Sequence, residues 1–107
     1  MDIKNAVDTL SALAHEGRLT LVRRLIQTGP DGMNAGDLAS QAGIGPTTAS
    51  AQLLVLKNAG LVQSERKGRQ IIYSANYNRM AGLLGYLMED CCCSHPQICE
   101  PLKDTLQ

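Results

Sequence analysis

All four cysteines of the 107-residue chain lie in one short run, Cys91-Cys92-Cys93-Ser94-His95-Pro96-Gln97-Ile98-Cys99. Thiolates are soft donors and select thiophilic ions. Pro96 cannot continue a helix, so a chain turning back there can bring Cys99 over the earlier cysteines. Two adjacent cysteines and a third returned by a loop can offer three sulfurs to one face of an ion. Trivalent arsenic fits such a set, because it takes three ligands in a pyramid with a lone pair at the apex. Zinc is the main rival: it wants four ligands in a tetrahedron, nominally Cys92, Cys93, His95 and Cys99. Against zinc, the run lacks paired Cys-x2-Cys units, and a histidine so close to adjacent cysteines is sterically awkward. Cadmium and lead stand with zinc, and a thiol-redox switch through disulfide formation is a further reading. Incidental cysteines in an acidic tail are the bland alternative, which four cysteines so closely spaced argue against.

A second constellation lies in the middle of the chain. Pro46-Thr47-Thr48-Ala49-Ser50-Ala51-Gln52 opens a helix with Ala49, Leu53 and Leu56 on one face. The remaining positions, Thr47, Thr48, Ser50, Ala51 and Gln52, carry hydroxyls, a methyl and an amide. Hydroxyls can serve phosphates or base edges, glutamine can pair with adenine, and an alanine methyl can meet a thymine methyl. Arg66, Lys67 and Arg69 cluster further on, where they could reach phosphates beside that helix, with a strong salt dependence. An ordinary polar helix face and a solvated turn are the bland readings of the two features; together they are more specific than either alone. Lys57 and Arg79 read equally well as plain surface charges.

Charge is distributed in the same sense. The chain has ten Lys+Arg and ten Asp+Glu. Residues 41–88 hold Lys57, Arg66, Lys67, Arg69 and Arg79 against Glu65 alone, whereas residues 89–107 hold Lys103 against Glu89, Asp90, Glu100 and Asp104. A basic, polyanion-binding middle is thus joined to an acidic, thiol-rich end.

The elements that must position these residues follow from periodicity. Ile3, Val7, Leu10 and Leu13, then Leu19, Val22, Leu25 and Ile26, fall at helical spacing. Thr28-Gly29-Pro30-Asp31-Gly32 stops the run. Asn34 with Asp37 is a loose relative of a capping box and opens a short helix with Leu38, Ala39 and Ala42 inward. Gly43-Ile44-Gly45 is a turn, Pro46 suits a first helical position, and that helix ends near Gly60. Residues 61–66 and 70–74 read as strands around Lys67-Gly68-Arg69, a hairpin. A last helix starts near Asn78, with Met80, Leu83, Leu84, Leu87 and Met88 apolar and Gly82 and Gly85 within it. The expected fold is mainly α with a β-hairpin (α+β), a helix-turn-helix followed by a basic hairpin. Residues 1–90 are expected to form its DNA-binding domain, and 91–107 a cysteine-rich tail.

Other function classes fall away. No run approaches a membrane span. The start, MDIKNAVDTL, carries Asp2, Lys4 and Asp8 and does not read as a signal peptide. A cytoplasmic protein with reduced thiols is expected. With no Trp, no Phe and three Tyr, the core must be aliphatic, and so thin a core often gains from a partner subunit. No nucleophile elbow, phosphate-cradling loop or carboxylate pair is present. A vicinal-thiol reductase would need an electropositive thiol, and Glu89 and Asp90 make that neighbourhood acidic. The chain is therefore not expected to be an enzyme.

Residues 13–19 (Leu-Ala-His-Glu-Gly-Arg-Leu), Asp37-Leu38-Ala39, Thr48 to Leu53, Leu56 to Val62 and Gly68 to Tyr73 together resemble the ArsR/SmtB family of metal-sensing repressors. The resemblance covers roughly residues 6 to 90. It implies a winged helix-turn-helix homodimer, paired through its first and last helices, that binds double-stranded operator DNA and releases it on binding a metal or metalloid. No cofactor is required; the inducer is trivalent arsenic as arsenite, or antimonite. The spacing of Cys92, Cys93 and Cys99 resembles family members whose arsenite site ends the last helix, with Cys91 as a spare or substitute. The resemblance also makes His15 a structural residue. Two departures stand out: the family often has His at the position of Gln52, which bears on base preference. Many arsenic sensors also place a Cys-x-Cys pair before the DNA-reading unit, and Met33 to Ala39 contains none.

Overall fold

A computed structural model describes residues 1–89; residues 90–107, with all four cysteines and the whole tail assigned to 91–107, lie outside the described residues. The chain forms α1 (Ile3–Leu13), α2 (Glu16–Thr28), β1 (Met33–Asn34), α3 (Ala35–Ala42), α4 (Pro46–Asn58), β2 (Val62–Lys67), β3 (Gln70–Ala75) and α5 (Tyr77–Leu87). This is the expected α+β winged helix-turn-helix, with one addition. Strand β1 pairs with β3, making a three-stranded antiparallel sheet in the order β1-β3-β2. Two residues are too few for a period-two pattern, and the partner lies far along the chain, Met33 opposite Tyr73 and Asn34 opposite Ile72. Gly32 permits the approach: its φ is +75°, and a Cβ there would run into the Tyr73 carbonyl oxygen.

Local chemistry fixes the ends of the helices. Asp2 caps α1 by accepting from Asn5 N at 2.8 Å. Asn34 caps α3 by accepting from Asp37 N at 2.8 Å, while its amide donates to Asp37 Oδ2 at 3.1 Å, a side-chain variant of the expected box. Helix α3 ends in a Schellman turn. Gly43 is left-handed at φ 69°, its N–H donates to Ser40 O at 3.2 Å, and Ile44 N donates to Ala39 O at 3.0 Å. Gly45 and Pro46 then start α4 at once.

The core is aliphatic, as the composition requires. Leu21 and Leu25 of α2, Leu38 of α3, Leu53 and Leu56 of α4, and Leu61 are fully buried. Each such leucine contributes roughly 1.5–3 kcal/mol of transfer free energy. The apolar stripe of α1 has a different fate. The helix turns Ala6, Thr9 and Ala12 inward, with the Thr9 hydroxyl donating to Asn5 O at 2.7 Å, and leaves Ile3 66% and Val7 51% exposed. Helix α5 likewise buries only Leu83 and leaves Leu84 and Leu87 outward.

Candidate nucleic-acid interface

Helices α3 and α4, joined by the Gly43-Ile44-Gly45 turn, form the helix-turn-helix, and β2–β3 forms the hairpin that follows it. Ala49, Leu53 and Leu56 bury one face of α4 completely. Pro46, Thr47, Thr48, Ser50 and Ala51 are all exposed, as expected for a reading face. Gln52 sits at the edge of that face, partly buried, and its Oε1 accepts from Arg18 Nη1 at 2.9 Å. Its NH2 group remains as the donor end. The bond leaves less of Gln52 free for a base than the sequence alone suggests.

The same Arg18 guanidinium donates through Nε to Ala12 O at 2.6 Å and through Nη2 to Ser11 O at 3.4 Å. One side chain thus ties the carbonyl end of α1 to α4. Nothing in local sequence signals this role, because its partners lie six, seven and thirty-four positions away. Beside it, His15 caps α2: Nδ1 accepts from Gly17 N at 3.1 Å and from Arg18 N at 3.4 Å. The structural role implied for His15 is the one it plays.

The hairpin closes with Lys67 opposite Gln70, so Gly68 and Arg69 alone make the turn. Gly68 has φ +66°, the left-handed value such two-residue turns require. Arg66, Lys67 and Arg69 are exposed around the tip. Alternation puts Arg66 on the same face as Ser64 and Lys67 on the opposite face. Ser64 in turn accepts from Lys57 Nζ of α4 at 2.8 Å, pinning the hairpin to the helix. Lys57 is therefore a bracing residue between helix and hairpin, a role its sequence position did not reveal. Arg79 lies elsewhere, its guanidinium packed near Gly60 and its Nε buried with no hydrogen-bond partner among the described residues.

The described residues hold no group of three or more His, Cys, Asp or Glu able to bind a metal. Cys91, Cys92, Cys93, Cys99 and His95 fall outside them. No helix among the described residues is long and apolar enough to cross a membrane.

Comparison with known proteins gives the same picture. Residues 15–64 match the family model described as "Bacterial regulatory protein, arsR family". The chain is 42% identical over 76 residues to the HTH-type transcriptional regulator NmtR of Mycobacterium tuberculosis; the match covers 71% of this chain and 61% of that relative. It is 35% identical over 88 residues to the biofilm growth-associated repressor of Xylella fastidiosa, covering 82% of this chain and 75% of the relative. Among solved structures, it superposes on the homodimeric winged helix-turn-helix DNA-binding domain of a possible ArsR-family regulator from Mycobacterium bovis. The TM-score there is 0.67 and the identity 28%, covering 87% of this chain and 85% of the other. Fold, helix-turn-helix residues and relatives agree: the chain belongs to the arsR family of bacterial regulatory proteins.

Proposed function

We propose that this protein is a transcriptional repressor that binds operator DNA as a homodimer and releases it when arsenite, or antimonite, bonds Cys92, Cys93 and Cys99. The observation that carries the DNA-binding part is the juxtaposition of an exposed hydroxyl-bearing face on α4 with three exposed cations on the hairpin braced against it. A recognition helix in that position enters the major groove, and the hairpin cations meet phosphates. The similarity to a named repressor and to a DNA-binding domain supports this reading.

The homodimer reading rests on the outward apolar side chains of α1 and α5, Ile3, Val7, Leu84 and Leu87, which the core of the described residues does not use. The inducer site rests on the cysteine spacing and on the three-coordinate preference of trivalent arsenic. A ligand can release DNA only by binding the DNA-incompetent state more tightly. By linkage, DNA then weakens arsenite binding by the same factor. Arg18 offers a physical route, since it joins the end of α1, in the expected dimer seam, to α4.

The test is fluorescence anisotropy of the reduced protein on DNA from upstream of its own gene, titrated separately with arsenite, with zinc, cadmium and lead, and with a thiol oxidant. Release by arsenite alone, lost in Cys99→Ser with DNA affinity intact, is the expected outcome. Release by zinc, cadmium or lead alone, or by oxidation alone, overturns the arsenite assignment while keeping the repressor. Absence of any DNA affinity overturns the reading as a whole.

A further inference from the structure

The exposed face of α4 contains a residue that neither hydrogen bonding nor core packing explains. Leu54 is 59% exposed in the middle of the helix. With about 3.6 residues per turn, burial of Ala49, Leu53 and Leu56 places Thr47, Ala51, Leu54 and Asn58 on the opposite, outermost stripe, and all four are exposed. The two flanks of that stripe are already occupied. Lys57 reaches sideways to Ser64 of the hairpin, and Gln52 reaches the other way to Arg18. The stripe between them faces away from the protein, carries no charge, and has an isobutyl group and a methyl at its centre.

Resting on the DNA-binding reading above, we infer that Leu54, with Ala51 beside it, selects thymine by contact with its C5-methyl group in the major groove. Thymine alone presents a methyl there; the other major-groove edges present hydrogen-bonding groups that an apolar side chain would desolvate without replacement. A helix lying along the groove spreads Thr47 to Leu54 over about 10 Å, roughly three base-pair steps. The hydroxyls of Thr47 and Ser50 then serve phosphates or base edges at one end of the read segment, and the apolar pair sets a thymine requirement further along. Leu54 is a specificity-determining residue whose exposure in the free protein is the cost of this contact.

The test begins with duplexes selected from a random pool by the full-length reduced protein at one fixed low salt concentration. Each thymine of a selected half-site is then replaced by deoxyuridine, which removes only the methyl. Wild-type affinity is expected to fall about fourfold when one particular thymine is replaced in one half-site, the equivalent of ~0.8 kcal/mol for one buried methyl-sized group. Leu54→Ser is expected to bind both duplexes equally while retaining affinity through the hydroxyls and the hairpin. Equal wild-type affinity for the thymine and deoxyuridine duplexes overturns the inference and leaves DNA binding standing. So does a thymine preference that survives in Leu54→Ser. If Leu54→Ser changes the oligomeric state by light scattering and leaves the thymine preference untouched, Leu54 meets a second copy of the chain instead. A protein that selects no duplex removes the DNA-binding reading and this inference with it.

Discussion

At the scale of single residues, Arg18 does the most that sequence inspection does not disclose. Its three hydrogen bonds, to Ala12 O, Ser11 O and Gln52 Oε1, join the end of α1 to α4. Bonds from a charged donor are worth more than neutral ones, and partial exposure discounts them. Arg18→Met should therefore lower the unfolding free energy by about 1–3 kcal/mol in urea titration. Gln52→Ala should cost less, since it removes one acceptor and leaves Arg18 its two carbonyls. The double variant should fall short of additivity by about 1 kcal/mol; strict additivity would mean the Arg18–Gln52 bond contributes nothing. Arg18→Lys is not expected to restore stability, because a single ammonium cannot fork between two carbonyls and an amide.

Elements were legible wherever local chemistry decides them. The Asn34–Asp37 pair, the Gly43 turn with Pro46 behind it, and the Gly68 hairpin each carry their own instruction in neighbouring residues, and each forms accordingly. Strand β1 was not legible, because two residues carry no periodicity and their partner strand is contributed from β3, nearly forty positions on. Nor was the direction of the α1 stripe, since spacing reveals that a face is apolar and not what covers it. In the candidate interface, the exposed positions of α4 were readable from the helical period, but the sideways engagement of Gln52 and Lys57 was not. The hairpin makes a prediction at this scale. Neutralising Arg66, Lys67 and Arg69 together should flatten the dependence of log affinity on log salt. Every phosphate that the variant no longer neutralises reduces the slope by about 0.9. Arg66 and Lys67 lie on opposite faces of the hairpin, so not all six cations of a dimer can meet one duplex. A reduction of about 2–4 is expected from anisotropy titrations in increasing salt. An unchanged slope would place the hairpin away from the backbone.

At the scale of the whole molecule, the described residues enclose one part of the fold and leave another facing outward. Helices α2, α3 and α4 with the sheet enclose the leucine core. Helix α5, by contrast, buries only Leu83, presents Leu87 at 53% exposure, and contains Gly82 and Gly85, each costing about 1 kcal/mol of helix stability relative to alanine. Among the described residues, nothing beyond its own helix lies within 4 Å of where a Gly85 side chain would begin, so another chain can approach its backbone closely. Such a helix should be held mainly by a partner, and its order should follow dimerisation rather than precede it. Val7→Asp tests this, because Val7 is exposed in the single chain and a carboxylate there costs the monomer little. In a seam formed by α1 and α5 the same change buries an unpaired charge in each protomer, at a cost of several kcal/mol. Sedimentation equilibrium should show the variant as a monomer. Hydrogen exchange should show the amides of residues 83–87 losing protection while those of α2 and α4 keep theirs. Ile71→Asp, an equally apolar and exposed position on the hairpin, should leave the dimer intact. A Val7→Asp protein that remains dimeric would move the seam off α1, and a monomer with α5 still protected would show that the single chain suffices to hold its last helix.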